Sequence, residues 1–165
     1  MTASGTALPL TDNASDIVRE ALAAHAGVPG ALLPILHAVQ DALGHIPGDA
    51  VPQIANALNL SRAEVHGVVT YYHHFRATPP GRQVIQLCRA EACQAQGADA
   101  LLAHATKRLG CALHATSPDG AYTLEPVYCL GLCASSPALL WGDELHARVT
   151  PERFDRLVAE SRSTA

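Results

Sequence analysis

Four of the five cysteines in this chain fall into two close pairs, and any fold of the chain has to account for their spacing. The first pair, Cys88 and Cys93, lies in the stretch QLCRAEACQ. The second pair, Cys129 and Cys133, lies in EPVYCLGLCASSPA, and Cys129 follows Cys88 by 41 positions. Cysteines grouped in this way more often bind a metal or carry out redox chemistry than form structural bridges, if the thiols are kept reduced. The fold therefore has to bring two distant segments together for the four thiols to act as one site.

The composition favours a reducing compartment. The chain has 165 residues, of which 48% are apolar, so it can bury a core without a disulfide scaffold. Its net charge of −4 argues against nucleic acid or an anionic membrane as the main partner. The stretch MTASGTALPLTDNAS has neither the basic part nor the continuous apolar part of a signal peptide. No apolar run approaches the roughly 20 residues that span a bilayer, so we expect a cytoplasmic protein without membrane insertion.

Apolar residues recur at helical spacing up to about Arg76. This periodicity predicts four helices, which begin near Asp12 or Asn13 and then cover about 31–43, 50–58 and 61–72. Ser61 and Glu64 have the spacing of a capping box, in which each side chain accepts a hydrogen bond from the other residue's backbone. We expect the four helices to form a bundle subdomain over residues 1–78.

After Pro79-Pro80-Gly81 the pattern changes to an alternation of strands and helices. The expected elements are, in order, a strand in RQVIQLC, a helix in GADALLAHATKRLG, a strand in YTLEPVYC broken by Pro126, a hairpin in PALLWGDELHARV that turns at Gly142-Asp143, and a helix in TPERFDRLVAES. This order, β-α-β followed by β-β-α, is that of the thioredoxin fold. We therefore predict an α+β protein in which a thioredoxin-like (β-α-β-β-β-α) domain over residues 79–165 follows the helical bundle.

This topology predicts where the two cysteine pairs lie. A right-handed crossover makes the first two strands of the domain parallel. Their carboxyl ends then share one edge of the sheet, which is where open α/β sheets place their sites. Cys88 closes the first predicted strand and Cys129 closes the second. We expect the pairs to converge at that edge.

A [2Fe–2S] cluster is the cofactor that suits two such pairs best. It has two tetrahedral irons joined by two sulfides, so each iron takes two further ligands, and soft thiolates are preferred. Gly131 allows close approach of the backbone, and the amides of residues 89–92 and 130–132 are placed to donate to cluster sulfurs. Those hydrogen bonds, together with the charge of Arg89, would stabilise the reduced state and raise the potential.

Three other uses of the thiols are open at this point. A zinc site with four cysteine ligands fits the count, although such sites most often carry C-x-x-C at both ends. A catalytic dithiol in a thioredoxin-like fold would require C-x-x-C at the start of the first helix, where this chain has C-x4-C. Structural disulfides are disfavoured in a reducing compartment. We favour the cluster over these alternatives.

The cysteine pattern and its surroundings resemble a known family. C-x4-C followed by C-x3-C, with CLGLCASSP around the second pair, is similar to the thioredoxin-like [2Fe–2S] ferredoxin subunit of respiratory complex I. The same type of subunit occurs in soluble NAD-linked hydrogenases and formate dehydrogenases. The resemblance covers most of the chain, including GALLPILHAVQDALGHIP and LSRAEVHGVVTYYHHF. It implies that Cys88 and Cys93 bind one iron and that Cys129 and Cys133 bind the other.

The stretches CRAEACQ and LEPVYCLGLCA look most like the gamma subunit of soluble, molybdenum-containing, NAD-dependent formate dehydrogenase. This resemblance implies an electron-transfer subunit without catalytic residues of its own, docked beside a flavoprotein subunit that binds FMN and NAD. A larger subunit with further iron–sulfur clusters would oxidise formate to CO₂ at a molybdenum cofactor. The alternatives are the equivalent subunit of an NADH:quinone oxidoreductase or an NAD-linked hydrogenase, and an autonomous [2Fe–2S] ferredoxin. No G-x-G-x-x-G follows a predicted strand, so we expect no flavin or NAD site in this chain.

Two patterns in the helical part have other interpretations. IANALNLSRAEVHGVV is also typical of a helix-turn-helix, but residues 1–78 hold three Arg and no Lys against six Asp and Glu, which is a poor match for phosphates. His66 and His73 share one face of the predicted fourth helix, without a carboxylate or cysteine at matching spacing to complete a metal site. For His73 and His74 we expect a role at an interface or at a helix C-terminus.

Five further residues carry separate expectations. Cys111 is expected to be a small buried hydrophobe, because a fifth thiol has no place in the cluster. The Ser136-Pro137 bond is a candidate for a cis peptide, with cis and trans both left open. Trp141 and Tyr128 are expected to be core or interface anchors rather than electron relays.

Overall fold

The structure of the chain is a computed structural model that describes residues 12–163, and within this range it is an α+β fold, as the sequence predicts. The first helices are α1 (Asp12–Ala24), α2 (Leu32–Leu43), α3 (Ala50–Leu58) and α4 (Arg62–Tyr71). Then follow β1 (Gln83–Cys88), α5 (Glu91–Ala95), α6 (Ala98–Leu109), β2 (Ala115–Thr116), β3 (Tyr122–Val127), a short 3₁₀ helix (Cys133–Ser135), β4 (Leu139–Trp141), β5 (Glu144–His146) and α7 (Pro151–Ser163). The chain divides into two compact units, of which the first ends at Pro79 and the second begins at Pro80. None of the helices within residues 12–163 is long and apolar enough to cross a membrane.

The first unit is held together by one apolar stripe from each helix. Val18 of α1, Ile35 of α2, Ile54 of α3 and Val65 of α4 are all fully buried in a single core. Burying a side chain of this size contributes about 1.5–3 kcal/mol relative to leaving it exposed. Each of the four helices lies where the helical periodicity of the sequence predicts one.

The predicted capping box starts α4. The Glu64 N–H donates to the Ser61 hydroxyl at 3.2 Å, and the Ser61 N–H donates to the Glu64 carboxylate at 2.7 Å. Two backbone donors that the helix cannot satisfy internally are therefore satisfied by side chains.

The buried side-chain amide of Gln40, in α2, forms hydrogen bonds with the segment after α4. Gln40 is only 4% exposed, and its side-chain nitrogen donates to the carbonyl of His74 at 2.8 Å. The Arg76 N–H donates to the side-chain oxygen of the same Gln40 at 2.7 Å. Both ends of the amide are therefore satisfied, as a buried polar group requires.

The second unit is built on a mixed sheet. Within the described residues, the strand order is β2-β3-β1-β4-β5, so β1 has a neighbour on each side. The strands β1 and β3 are parallel, which confirms the predicted crossover, and the other neighbours are antiparallel. The predicted hairpin between β4 and β5 is present, with Gly142 in the left-handed region at a φ of 57°. The Ser136-Pro137 peptide is cis.

The prediction that Pro126 breaks its strand is wrong. The Arg89 N–H donates to the Val127 carbonyl on one side of β3, whereas the His114 N–H donates to the Leu124 carbonyl on the other side. Backbone groups alternate along a strand, so Pro126 faces the same side as Leu124. β2 pairs only with Thr123 and Leu124, so Pro126 lies beyond its end, where no ladder hydrogen bond is needed. The strand ends at Val127, and Cys129 lies two residues past it rather than closing it.

The start of β1 depends on a close approach of two backbones. The Gly81 N–H donates to the Thr123 hydroxyl at 2.6 Å. A Cβ at position 81 would lie 2.9 Å from the backbone nitrogen and carbonyl carbon of Tyr122. Only glycine fits there without moving β3.

Candidate metal centre

The first cysteine pair is buried at the carboxyl end of β1. Cys88 is the last residue of that strand, and its N–H donates to the carbonyl of Ala138 at 3.0 Å. Cys93 lies one turn into α5, the short helix that follows. Each of the two residues is 2% exposed.

The second pair is exposed on the loop after β3. Cys129 has a left-handed backbone, with a φ of 84°, and Gly131 follows with a φ of 77°. This tight loop places the Sγ atoms of Cys129 and Cys133 3.6 Å apart. The Gly131 N–H donates to the Cys129 sulfur at 3.4 Å, which is the amide contact expected from the sequence.

The two pairs meet at one edge of the sheet. Hydrogen bonds from the backbone amides of Ala90, Cys129 and Leu130 act on the Cys88 sulfur. The loop of the second pair therefore contacts the first pair directly. Burial acts to raise the pKa of the Cys88 thiol, but these hydrogen bonds outweigh it, so the net pKa lies below the ordinary value.

The pKa of the Cys133 thiol is shifted in the opposite direction. The hydrogen bond with Cys129 raises the pKa of the Cys133 thiol, and the nearby charges of Cys129, Cys93 and Cys88 raise it further. The other three cysteines of the two pairs therefore all act on the Cys133 thiol. A positive centre that takes four thiolates relieves this mutual repulsion.

Ser136 links the two pairs, and the sequence did not indicate a role in the site for its side chain. The Cys93 thiol donates to the Ser136 hydroxyl, with the sulfur and oxygen 3.5 Å apart. The Ser136 hydroxyl donates to the Cys133 carbonyl at 2.8 Å. The one sequence signal was its position before Pro137, three residues after Cys133.

Arg89 directly follows Cys88 in the chain. Its guanidinium pairs with Asp99 in the first turn of α6 at 2.8 Å. Its Nε is buried, and no hydrogen-bond partner for it exists in the described part of the chain. A buried cationic donor directly after Cys88 suits a site that receives a negatively charged group.

The donor set fits a [2Fe–2S] cluster. Two pairs of thiols share one edge of the sheet, and backbone N–H groups point at two of the sulfurs. Between residues 12 and 163 no three Cys, His, Asp or Glu side chains are placed to hold a single metal ion. A two-iron cluster takes two thiolates at each iron.

Cys111 is buried in the core of the second unit, as predicted. Burial raises the pKa of its thiol, and the charge of Asp119 adds to this. Trp141 and Tyr128 were both expected to be core or interface anchors. Trp141 is buried in the core of the second unit, whereas Tyr128, next to Cys129, is 68% exposed.

The histidines are arranged differently from the prediction. His66 and His73 do not share a helix face, because α4 ends at Tyr71 and both His73 and His74 follow it. The His74 ring instead lies 5.0 Å from the ring of His37 in α2. Burial lowers the pKa of His74, and the nearby His37 and Arg76 lower it further, against a smaller opposing effect of Asp41.

Together these features define a thioredoxin-like α+β protein with two pairs of cysteines at the carboxyl edge of its sheet. The chain belongs to the thioredoxin-like [2Fe-2S] ferredoxin family, whose family model matches residues 18–162. The predicted family, the thioredoxin-like fold and the single [2Fe–2S] cluster are thereby confirmed.

Named relatives are components of larger enzymes. The chain is 37% identical over 133 residues to a subunit of the NADH-quinone oxidoreductase of Rhizobium meliloti, covering 81% of this chain and 79% of the relative. It is 30% identical over 131 residues to the HndA subunit of the NADP-reducing hydrogenase of Solidesulfovibrio fructosivorans, covering 79% and 77%. A crystal structure of an NAD+-reducing [NiFe]-hydrogenase shares the fold, with a TM-score of 0.66 at 23% identity. That match covers 79% of this chain and 22% of the hydrogenase chain.

Proposed function

We propose that this chain is an electron-transfer subunit of an NAD-linked oxidoreductase and holds one [2Fe–2S] cluster through Cys88, Cys93, Cys129 and Cys133. The observation that carries the proposal is the link between the two cysteine pairs through Ser136, whose hydroxyl lies 3.5 Å from the Cys93 sulfur and donates to the Cys133 carbonyl at 2.8 Å. When bound, the cluster supplies one-electron transfer without making or breaking bonds to a substrate.

In this proposal each cysteine pair holds one iron of the cluster. Cys88 and Cys93 would bind one iron in a buried position, and Cys129 and Cys133 would bind the other at the surface. Backbone N–H groups that donate to thiolate sulfurs stabilise the more negative, reduced state. The exposed pair is the side from which a partner's electron carrier can approach.

The proposed partner is a flavoprotein subunit that binds FMN and NAD, together with a larger iron–sulfur subunit. Its support is that the relatives are named as subunits of NADH-quinone oxidoreductase and of an NADP-reducing hydrogenase. The sequence adds that no G-x-G-x-x-G follows a strand, so flavin and nucleotide are expected in other chains. This chain would then have no catalytic residues of its own.

A finer proposal is that the complex is a soluble, molybdenum-containing formate dehydrogenase that reduces NAD+. Its support is the resemblance of CRAEACQ and LEPVYCLGLCA to the gamma subunit of such enzymes. Purification of the native complex tests it, because formate-dependent reduction of NAD+ and bound molybdenum are expected. Reduction of NAD+ by hydrogen, or oxidation of NADH by quinone, would instead assign the chain to one of the other complexes.

The cluster itself is tested on the purified chain. We expect about two irons and two acid-labile sulfides per chain, and a spin-half EPR signal after reduction with dithionite. Cys129→Ser should abolish or distort that signal. Cys111→Ser is the matched control, because Cys111 stands outside the two cysteine pairs of the sequence, and it should leave the signal intact. Loss of the cluster in the Cys111 variant, or zinc in place of iron, would contradict the ligand assignment.

A further inference from the structure

The four sulfurs of the site differ in the kind of donor that faces them. Cys88 accepts from the amides of Ala90, Cys129 and Leu130, and Cys129 accepts from the amide of Gly131. These are backbone groups, which a side-chain substitution does not remove. The Cys93 sulfur instead faces the hydroxyl of Ser136, at 3.5 Å.

Protonation decides the direction of the bond between Cys93 and Ser136. In the free thiol, the Cys93 S–H donates to Ser136, whose own proton goes to the Cys133 carbonyl at 2.8 Å. A cluster ligand is a thiolate, because the thiol releases its proton to solvent when it binds iron. The sulfur can then only accept a hydrogen bond.

Burial makes the hydroxyl important to the thiolate. Cys93 is 2% exposed, so water does not solvate its sulfur. Cys133 is exposed, so water can take over the hydrogen bond to its carbonyl. A hydrogen bond to a charged acceptor is stronger than one to a neutral carbonyl, so rotation of the Ser136 hydroxyl towards Cys93 is favoured.

The backbone around Ser136 is fixed by its neighbours. The Arg148 N–H donates to the Ser135 carbonyl at 2.8 Å, and the Val149 N–H donates to the Pro137 carbonyl at 2.9 Å. The Cys88 N–H donates to the Ala138 carbonyl. Rotation of the hydroxyl therefore requires no movement of the chain.

We propose that Ser136 is a positioning residue that donates a hydrogen bond to the Cys93 thiolate and thereby raises the reduction potential of the cluster. This inference rests on the proposed function. Reduction adds negative charge to the cluster, and a hydrogen bond to a ligand sulfur stabilises that charge. Removing the hydroxyl should therefore make the cluster harder to reduce.

The test is a redox titration of the full-length protein, followed by the EPR signal of the reduced cluster. Ser136→Ala should shift the midpoint potential to a lower value, and Ser136→Thr, which keeps a hydroxyl, should restore it towards the wild-type value. Ser135→Ala is the matched control, since within the described residues Ser135 enters the hydrogen bonds of this loop through its backbone. It should leave the midpoint potential unchanged.

The outcomes separate this inference from the proposed function. A wild-type protein without iron and sulfide would overturn the proposed function itself. A wild-type protein with an intact cluster, combined with equal potentials in the Ser136→Ala and Ser135→Ala variants, would overturn only the role of Ser136. If Ser136→Ala does not bind iron, Ser136→Val is compared with Ser136→Thr instead. The midpoint potential should then be lower in the valine variant, which lacks the hydroxyl, than in the threonine variant. Loss of iron in both Ala and Val variants but not in Thr would assign the hydroxyl to holding the cluster, and would overturn a role in setting the potential.

Discussion

Gly81 shows at the scale of one residue how closely β1 and β3 are joined. Because Gly81 has no side chain, the backbone before β1 can lie against Tyr122. A Cβ at position 81 would be 2.9 Å from two backbone atoms of Tyr122. Backbone atoms of a central strand cannot move aside in the way that the end of a flexible side chain can. The register that places Cys88 opposite Val127 depends on this contact.

We therefore expect Gly81→Ala to lower the free energy of unfolding by about 1–3 kcal/mol, as overpacking does in a closed site. Gly67→Ala is the matched control. Gly67 lies inside α4, and a Cβ there would meet nothing within 4 Å, so the substitution should stabilise the helix by up to about 1 kcal/mol. Denaturant titrations followed by circular dichroism measure both changes. Equal effects of the two substitutions would show that the close approach to Tyr122 is not limiting.

At the scale of the element, the start of α4 depends on two side chains. Ser61→Ala removes the acceptor for the Glu64 N–H and should cost about 1 kcal/mol of stability. Thr70→Ala, in the same helix, is the control, because the Thr70 hydroxyl only bonds back to carbonyls of its own helix. Its effect on the denaturation midpoint should be small, and a loss as large as that of Ser61→Ala would contradict the capping role.

The other half of the capping box predicts a pH dependence. Hydrogen bonds from the backbone N–H and the hydroxyl of Ser61 lower the pKa of Glu64 below its ordinary value. A carboxyl with a lowered pKa stabilises the fold above its unfolded pKa, and this stabilisation is lost as the pH falls through the folded pKa. Glu64→Gln should therefore destabilise the protein at pH 7, and the difference from wild type should shrink below about pH 4. Glu20→Gln in α1 is the control, and a pH-independent difference for Glu64→Gln would contradict the prediction.

The elements differ in how far the sequence could predict them. The helices α2, α3, α4, α6 and α7 each have at least two turns of apolar periodicity, and the predicted spans agree with the structure to within a few residues. In contrast, α5 has five residues and β2 has two, which is too short for any periodicity to appear. Pro126 was misjudged because the sequence does not reveal where β2 ends, and only that end makes a proline acceptable in β3.

The site could be predicted only in part, because sequence order reveals topology but not the path of the loops. Cysteine spacing and a parallel crossover were enough to predict that the two pairs share an edge, since both are properties of sequence order and topology. The contact between Cys93 and Ser136 joins residues 43 positions apart and depends on the local path of two loops. The pairing of His37 with His74 is equally nonlocal, because it follows from where α4 ends.

At the scale of the whole molecule, each unit has its own apolar core. The core of the second unit includes Cys88, Cys93, Leu124 and Phe154, and among the described residues it contains none before Pro80. We propose that this unit folds and assembles the cluster by itself.

We therefore expect a fragment that begins at Pro80 to contain about two irons per chain and to give the EPR signal of the full-length protein. Circular dichroism of the same fragment would confirm its mixed α and β content. The Cys129→Ser version of the fragment serves as the control without an intact site. A folded fragment without iron would show that residues before Pro80 are needed to assemble the cluster.

The position of β1 in the middle of the sheet has a consequence for electron transfer. Neighbouring strands hold β1 on both sides, and the cysteine loops leave from its end and from the end of the adjacent parallel strand. As the proposed ligand at the end of this strand, Cys88 would keep its place whether or not an extra electron is present. The reorganisation energy that this side of the site contributes would then be small, and an electron could arrive and depart without waiting for β1 to rearrange.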